Sequence, residues 1–129
     1  MNRFTKIALA CAAVANSIPA MAAPGWVPYT ESGFARAQAA GKAIVVDVHA
    51  DWCPTCKAQA PILDELRGEK RLSGVTFVRV DFDTDKAFLR AHRIPRQSTV
   101  LVFRGMRETA RSIAETRRPQ LRAAVLAGL

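Results

Sequence analysis

The sequence predicts an α/β fold class, with a mixed central β-sheet flanked by helices on both faces. Two observations support this prediction. Segments with helical and strand-like patterns alternate along most of the chain, and the last two strand-like segments follow one another across a short turn. A chain of 129 residues, of which 50% are hydrophobic, is long enough for one hydrophobic core and too short for two domains.

The first half of the predicted domain alternates helix, strand and helix. Residues 23–29 contain two prolines and a glycine and are predicted to form an irregular lead-in. A helix is predicted from about Thr30 to Ala40, and the aliphatic, β-branched run from Ala43 to His49 is typical of a buried strand. A second helix is expected from Cys53 to about Arg67, with a kink at Pro61 because proline lacks the N–H that the helix requires.

The second half supplies three more strands and two more helices. A strand is predicted from Val75 to Asp83 and a helix from about Lys86 to His92. Two consecutive strands follow, Thr99 to Phe103 and about Glu108 to Ile113, joined by a turn that contains glycine. The chain closes with a helix from about Pro119 to Leu126.

The N-terminal segment has the pattern of an export signal. Two basic residues precede an apolar run from Ile7 to Ile18, and small residues follow at Ala20-Met21-Ala22. The run of 12 residues is shorter than the roughly 20 that a membrane-spanning helix needs, so no permanent membrane anchor is expected. We therefore expect residues 1–22 to be cleaved as a signal peptide, and residues 23–129 to form a domain in the periplasm.

Removal of that segment would leave Cys53 and Cys56 as the two cysteines of the domain. A spacing of two residues is poor for a structural staple and typical of a redox couple. At the start of a helix, Cys53 would lie near unpaired N–H groups and the positive end of the helix dipole, and both favour the thiolate. Cys53 is therefore the expected nucleophile, and Cys56, one turn further along, is expected to resolve the mixed disulfide.

Zinc sites and c-type haem sites also use two cysteines at this spacing. A structural zinc site needs four ligands, and only His49 and His92 remain as nitrogen donors. A haem site needs a histidine directly after the second cysteine, where Lys57 stands instead. We therefore predict no metal site and no cofactor.

The chain carries a formal net charge of +8. Such a charge could favour acidic partners or anionic lipid headgroups, but an ordinary solvated surface is the favoured interpretation. The arginines are scattered and no groove-reading motif is present, so no nucleic acid partner is expected.

The residues around the cysteine pair match a known pattern. Asp47 stands six residues before Cys53, a tryptophan precedes Cys53 directly, Lys57 follows Cys56, and a proline lies five residues after Cys56. This segment closely resembles the active-site segment of the thioredoxin family, and the resemblance extends from about Phe34 to the C-terminal helix. The string Ala-Asp-Trp-Cys-x-x-Cys-Lys is particularly similar to periplasmic soluble domains that receive electrons from a membrane-embedded thiol transporter.

The resemblance implies a thioredoxin-like fold and a thiol:disulfide oxidoreductase that reduces disulfides in protein substrates, with a membrane thiol-electron transporter as its reductant. It also implies a buried Asp47 that exchanges a proton with Cys56. A strand aspartate satisfied by hydrogen bonds is the structural alternative for Asp47. By the same resemblance, the residues in contact with the substrate chain would be Trp52, Pro54, Thr55, Ser98 and Thr99.

Three positions depart from the family pattern. Ser98 stands where the family has a cis-proline, and Pro95 lies three residues too early. Because a cis bond before a non-proline residue costs about 2.5–4 kcal/mol, a trans bond or a reshaped loop is expected at Ser98. His49 replaces a tryptophan, and Arg79 replaces a lysine near the aspartate; together with Lys57, these residues could tune the charge around Asp47 and the thiols.

Two other functions remain open from the sequence. An oxidant or isomerase is one alternative, because some oxidising members of the family also have proline inside the motif, as Pro54 is here. A copper-handling protein is the other, in which Cys53 and Cys56 bind Cu(I) and Ser98 leaves the pair more accessible than proline would.

Overall fold

The computed structural model describes residues 25–129. The predicted signal peptide, residues 1–22, lies outside the described residues. Within the described part of the chain, every helix is too short or too polar to cross a bilayer.

Five strands form one mixed sheet, in the spatial order β1-β3-β2-β4-β5. The strands are β1 (Val27–Pro28), β2 (Ala43–His49), β3 (Thr76–Asp81), β4 (Thr99–Arg104) and β5 (Arg107–Ile113). β1, β3 and β2 run parallel, whereas β4 pairs antiparallel with both β2 and β5. The sheet therefore confirms the predicted mixed architecture.

Four α-helices cover the two faces of this sheet. They are α1 (Glu31–Ala39), α2 (Pro54–Gly68), α3 (Lys86–Ala91) and α4 (Arg118–Gly128), and a short 3₁₀ turn, Lys70–Leu72, follows α2. Buried residues of α1 and α3 pack together in one cluster, and buried residues of α2 and α4 pack in a second cluster. This two-sided core also confirms the predicted fold class.

The alternation of side chains along β2 decides which face each residue serves. Ile44, Val46 and Val48 belong to the cluster with α1 and α3, whereas Val45 belongs to the cluster with α2 and α4. Since side chains two residues apart share a face, Asp47 points toward the same side as Val45. The strand thus directs a carboxylate beneath the helix that carries the cysteine pair.

The structure corrects two of the predicted elements and extends others. The predicted lead-in is wrong at Val27–Pro28, which forms an edge strand parallel to β3. Proline is tolerated there because an edge strand has a side that needs no N–H donor. The third strand is shorter than predicted and ends at Asp81, whose carboxylate accepts hydrogen bonds from the backbone N–H groups of Asp83 and Thr84. The helix α2 continues through Pro61 to Gly68.

Candidate active site

The first cysteine of the pair caps the helix that contains the second. Cys53 is the N-cap of α2, and its Sγ accepts a hydrogen bond from the backbone N–H of Cys56 at 3.1 Å. Pro54 occupies the first turn, where a missing N–H costs nothing, and it favours the extended backbone that Cys53 adopts. The sequence thus places a sulfur where helices ordinarily place a capping oxygen.

A serine hydroxyl lies between the two thiols. Both cysteines are free and buried, and Ser98 Oγ lies 3.1 Å from Cys53 Sγ and 3.2 Å from Cys56 Sγ. Cys56 Sγ also lies 4.0 Å from the carbonyl oxygen of Val48. The polar group shared by the two sulfurs is therefore supplied by the residue just before β4.

The backbone of Ser98 is fixed in an unusual conformation. Its φ is +67°, in the left-handed region, and the peptide bonds of the described residues are all trans, as expected without a proline at this position. The N–H of Ser98 donates to Val48 O at 2.8 Å, and its carbonyl accepts from the N–H of Ala114 at 3.0 Å. These bonds hold a conformation that serine rarely adopts.

Gln59, which was not among the predicted site residues, helps to hold Ser98 in place. Gln59 is completely buried on α2, and its Nε2 donates to Ser98 O at 3.1 Å and to Glu115 O at 2.9 Å. A signal was available in the sequence: Gln59 lies three residues after Cys56 and four before Leu63, on the helical face that must be buried. A polar residue on such a face requires a partner.

Asp47 lies in a buried charged cluster with Arg79 and His49. Only 2% of Asp47 is exposed; its Oδ2 accepts from Arg79 Nε at 3.2 Å and lies 3.7 Å from His49 Nδ1. Register explains the first contact, because Asp47 and Arg79 are direct partners on β2 and β3. The second carboxylate oxygen, Oδ1, accepts no hydrogen bond from the described residues. Burial raises the pKa of Asp47, and the attraction of Arg79 and His49 only partly opposes this effect.

The two thiols are shifted in opposite directions. Burial alone would raise the pKa of Cys53, but hydrogen bonds from the side chains of Cys56 and Ser98 outweigh it and lower the pKa below its ordinary value. Burial raises the pKa of Cys56, and its hydrogen bond to Cys53 raises it further. At neutral pH the first cysteine is therefore the better source of thiolate and the second retains its proton more firmly.

A cavity of about 380 Å³ opens beside the aspartate cluster. It is lined by His49 and Arg79, which both contact Asp47, and by the aromatic side chains of Trp26 and Tyr29. The guanidinium of Arg79 lies over the Trp26 ring at 4.5 Å. The cavity gives the charged cluster a route to solvent that does not pass the cysteines.

Three predicted substrate-contacting residues surround the pair at the surface. Trp52 is 56% exposed, and its indole N–H donates to Asp83 Oδ2 at 2.8 Å. Pro54 is exposed and Thr55 is half-buried. These side chains form an accessible rim beside Cys53.

The other two predicted substrate-contacting residues, Ser98 and Thr99, are buried, and Lys57, predicted to tune the charge around the thiols, is exposed. Thr99 is buried, and its hydroxyl donates to the carbonyl of Arg96 at 2.8 Å, so it closes the loop before β4. Lys57 is exposed on α2, with its backbone N–H donating to Cys53 O.

Among the described residues, no third His, Cys, Asp or Glu joins the cysteines in a group that could hold a metal ion.

Together, the fold and site define a small domain with a reactive dithiol at a helix N-terminus, an arrangement suited to thiol–disulfide exchange. The family model for thioredoxin matches residues 26–127. Trxlp from Edwardsiella tarda EIB202 is 40% identical, with a TM-score of 0.72 over 75% of this chain and 94% of that one. The chain belongs to the thioredoxin family.

Further relatives agree with this assignment. A thioredoxin of Chlamydia trachomatis is 30% identical over 84 residues, which cover 65% of this chain and 79% of that protein. The match to rice thioredoxin H2-1 is 33% identical and covers 56% of this chain and 51% of that protein. The match to the bifunctional thioredoxin reductase/thioredoxin of Mycobacterium leprae spans 57% of this chain and 16% of that much longer protein.

Proposed function

We propose that this protein is a thiol:disulfide oxidoreductase that reduces disulfides in protein substrates. The observation that carries the proposal is the pairing of two buried, reduced thiols whose pKa values are shifted in opposite directions. A lowered pKa supplies the attacking thiolate, and a raised pKa keeps the second thiol protonated until the mixed disulfide has formed.

In the proposed reaction, the thiolate of Cys53 attacks a substrate disulfide and releases one substrate thiolate. Cys56 then attacks Cys53 Sγ, so the second substrate sulfur leaves and the protein becomes oxidised. Cys56 must lose a proton in this step, and Asp47 is the base that we propose for it, because burial raises its pKa and so makes the carboxylate a better proton acceptor. Asp47 would then pass that proton to water through the cavity lined by His49 and Arg79.

Access to Cys53 requires a local movement in this reaction. Cys53 has no exposed surface in the dithiol form, and the half-buried side chain of Gln97 hydrogen-bonds to it in addition to Ser98. Ser98 is held by its own backbone bonds, so displacement of Gln97 is the smaller change. The exposed ring of Trp52 then offers an apolar contact for the incoming chain.

For its cellular context, we propose that the protein acts in the periplasm and is recharged by a membrane thiol-electron transporter. The support is the basic, apolar and small-residue pattern of residues 1–22, together with the resemblance of the active-site string to exported reducing domains.

Reduction of insulin disulfides by the purified domain, with dithiothreitol as electron source, tests the activity. The parent should accelerate precipitation of the insulin B chain over dithiothreitol alone, whereas Cys53→Ser should give the uncatalysed rate. A redox titration against glutathione then decides direction: a potential near that of thioredoxin, about −270 mV, supports a reductant, and one near −120 mV contradicts it and favours an oxidant.

A further inference from the structure

The hydroxyl of Ser98 lies at nearly the same distance from the sulfurs of Cys53 and Cys56. In the proposed reaction, Cys53 is the thiolate in the first step and Cys56 is the thiolate in the second. The distances from Ser98 Oγ are 3.1 Å to Cys53 Sγ and 3.2 Å to Cys56 Sγ. A hydroxyl group has one proton to donate and rotates freely about its C–O bond. It can therefore donate to only one sulfur at a time, and it can change between them without any movement of the backbone.

We propose that the Ser98 hydroxyl is a shared thiolate donor, which stabilises Cys53 in the dithiol and then turns to stabilise Cys56 in the mixed disulfide. This proposal rests on the proposed exchange reaction and assigns Ser98 a catalytic role in both of its steps.

In the dithiol, the hydroxyl donates to the thiolate of Cys53, to which the thiol of Cys56 also donates. Attack on a substrate disulfide forms a bond between Cys53 and one substrate sulfur, and the other substrate sulfur leaves as a thiolate that takes a proton from water. Cys53 then carries no charge, so the hydroxyl turns to Cys56. As Cys56 gives its proton to Asp47 or to water, the hydroxyl donates to the new thiolate, which displaces the second substrate thiolate and forms the Cys53–Cys56 disulfide.

The backbone contacts of Ser98 suit this role. Its N–H is bonded to Val48, and its carbonyl is bonded to Ala114 and Gln59, so the main chain stays fixed while the hydroxyl rotates. The residue is completely buried, and water therefore does not compete for the hydroxyl. A hydrogen bond to a charged acceptor is about twice as strong as a neutral one, so the hydroxyl favours whichever sulfur is ionised.

The arrangement also affects the redox equilibrium. The hydroxyl stabilises a thiolate, which exists in the reduced protein, and a disulfide sulfur is a weaker acceptor of its proton. Ser98 therefore shifts the equilibrium toward the dithiol and makes the protein a weaker reductant than it would be without the hydroxyl.

Two variants test the proposal. Ser98→Ala removes the hydroxyl and keeps Cβ, whereas Ser98→Gly removes the hydroxyl and also accepts the φ of +67° without strain. Ser112→Ala, which deletes a hydroxyl on β5, is the matched control. The measurements are thiolate absorbance against pH, the equilibrium constant with glutathione, and the two phases of thiol release from 5,5′-dithiobis(2-nitrobenzoate) by stopped flow.

Both Ser98 variants should raise the pKa of Cys53 and shift the glutathione equilibrium about tenfold toward the disulfide. The resolution phase should move to higher pH and slow about threefold at neutral pH, since a less stabilised thiolate is scarcer but more nucleophilic. An unchanged pKa of Cys53 and an unchanged glutathione equilibrium constant in both variants would overturn the proposal. A shift in Cys53 alone, with resolution as in the parent, would overturn the sharing between sulfurs. Acidity and the glutathione equilibrium need no protein substrate, so they distinguish this failure from a failure to reduce insulin.

Discussion

The two sulfurs of the motif have different surroundings although they lie one helical turn apart. Cys53 receives the backbone N–H of Cys56 at the N-terminus of α2, whereas Cys56 faces inward toward the carbonyl of Val48. Main-chain polarity therefore favours negative charge on the first sulfur and opposes it on the second.

This asymmetry predicts different behaviour of two single-cysteine variants. Cys56→Ser should accumulate mixed disulfides with substrate proteins, because Cys53 still attacks and no second thiol releases the product. Cys53→Ser should trap about tenfold less, since burial raises the pKa of the remaining thiol and leaves little of it as thiolate. Non-reducing gels after incubation with an oxidised protein substrate would show the difference. Equal trapping by both variants would reverse the assignment of roles.

Asp47 gives a prediction about stability against pH. Its folded-state pKa is raised above the unfolded value of about 3.9, so the parent is stabilised at low pH and loses that stability as pH rises through the folded pKa. Asp47→Asn avoids this loss. The variant should match the parent near pH 3 and become more stable at higher pH, by about 1.4 kcal/mol for each unit that separates the two pKa values.

Denaturant unfolding from pH 3 to pH 8 measures this difference. The control is Asp51→Asn, which removes an exposed carboxylate that contacts the same histidine. A constant difference between Asp47→Asn and the parent over the whole range would show that the carboxylate titrates alike in the folded and unfolded chain. Stopped-flow measurement of disulfide exchange by Asp47→Asn should show slower resolution of the mixed disulfide. A resolution rate equal to that of the parent would show that Asp47 has only a structural role.

At the scale of elements, α2 is connected to the loop before β4 and the segment before α4 through one side chain. Gln59→Leu is close in size but removes both hydrogen bonds, leaving the carbonyl of Glu115 without the donor it has in the parent. We expect a loss of about 1–3 kcal/mol in the free energy of unfolding. Denaturant titration measures it, with Gln120→Leu on the exposed face of α4 as the control.

The same substitution should also loosen the position of Ser98. The carbonyl of Ser98 would keep its bond from Ala114 but lose the one from Gln59. A rise in the pKa of Cys53 in Gln59→Leu, smaller than the rise in Ser98→Ala, is the expected result. Full stability and parental thiol acidity in Gln59→Leu would show that the helix does not position the loop.

The elements that the sequence predicts well are those with strong local patterns. The aliphatic run of β2 and the apolar face of α2 appear as expected because burial of their side chains is dictated by periodicity. The two-residue strand β1 has too few residues for any period, and its pairing depends on β3, about fifty positions later in the chain. The sequence around Val27 therefore does not predict this pairing.

At the scale of the whole molecule, motif spacing predicts where individual residues lie in the fold better than it predicts the geometry of the loop at the thiols. The positions of Cys53, Cys56 and Asp47 follow from motif and strand pattern, and the proximity of Arg79 follows from register. The left-handed conformation of Ser98 and its contact with both thiols depend on its hydrogen bonds with β2, α2 and the segment after β5, which are distant in sequence. These features form only when the folded sheet brings the distant segments together, so the sequence alone does not predict them.

The proposed export gives a prediction for the intact chain. Expression of the full sequence with a periplasmic fractionation should yield a soluble product beginning at Ala23, because small residues end the segment at Ala22. Intact-mass analysis identifies the terminus. A membrane-bound product that retains Met1 would contradict both the cleavage and the localisation.

The left-handed backbone at Ser98 restricts the evolutionary paths open to this site. Proline requires a φ of about −65°, far from the +67° found here, and it would eliminate the N–H that donates to Val48. A single change from serine to proline therefore cannot preserve the present loop; the preceding residues would have to be rebuilt at the same time. Glycine would fit the present loop, but a lineage that gains proline here must change the loop as well, and either change made alone leaves the loop and its residue mismatched.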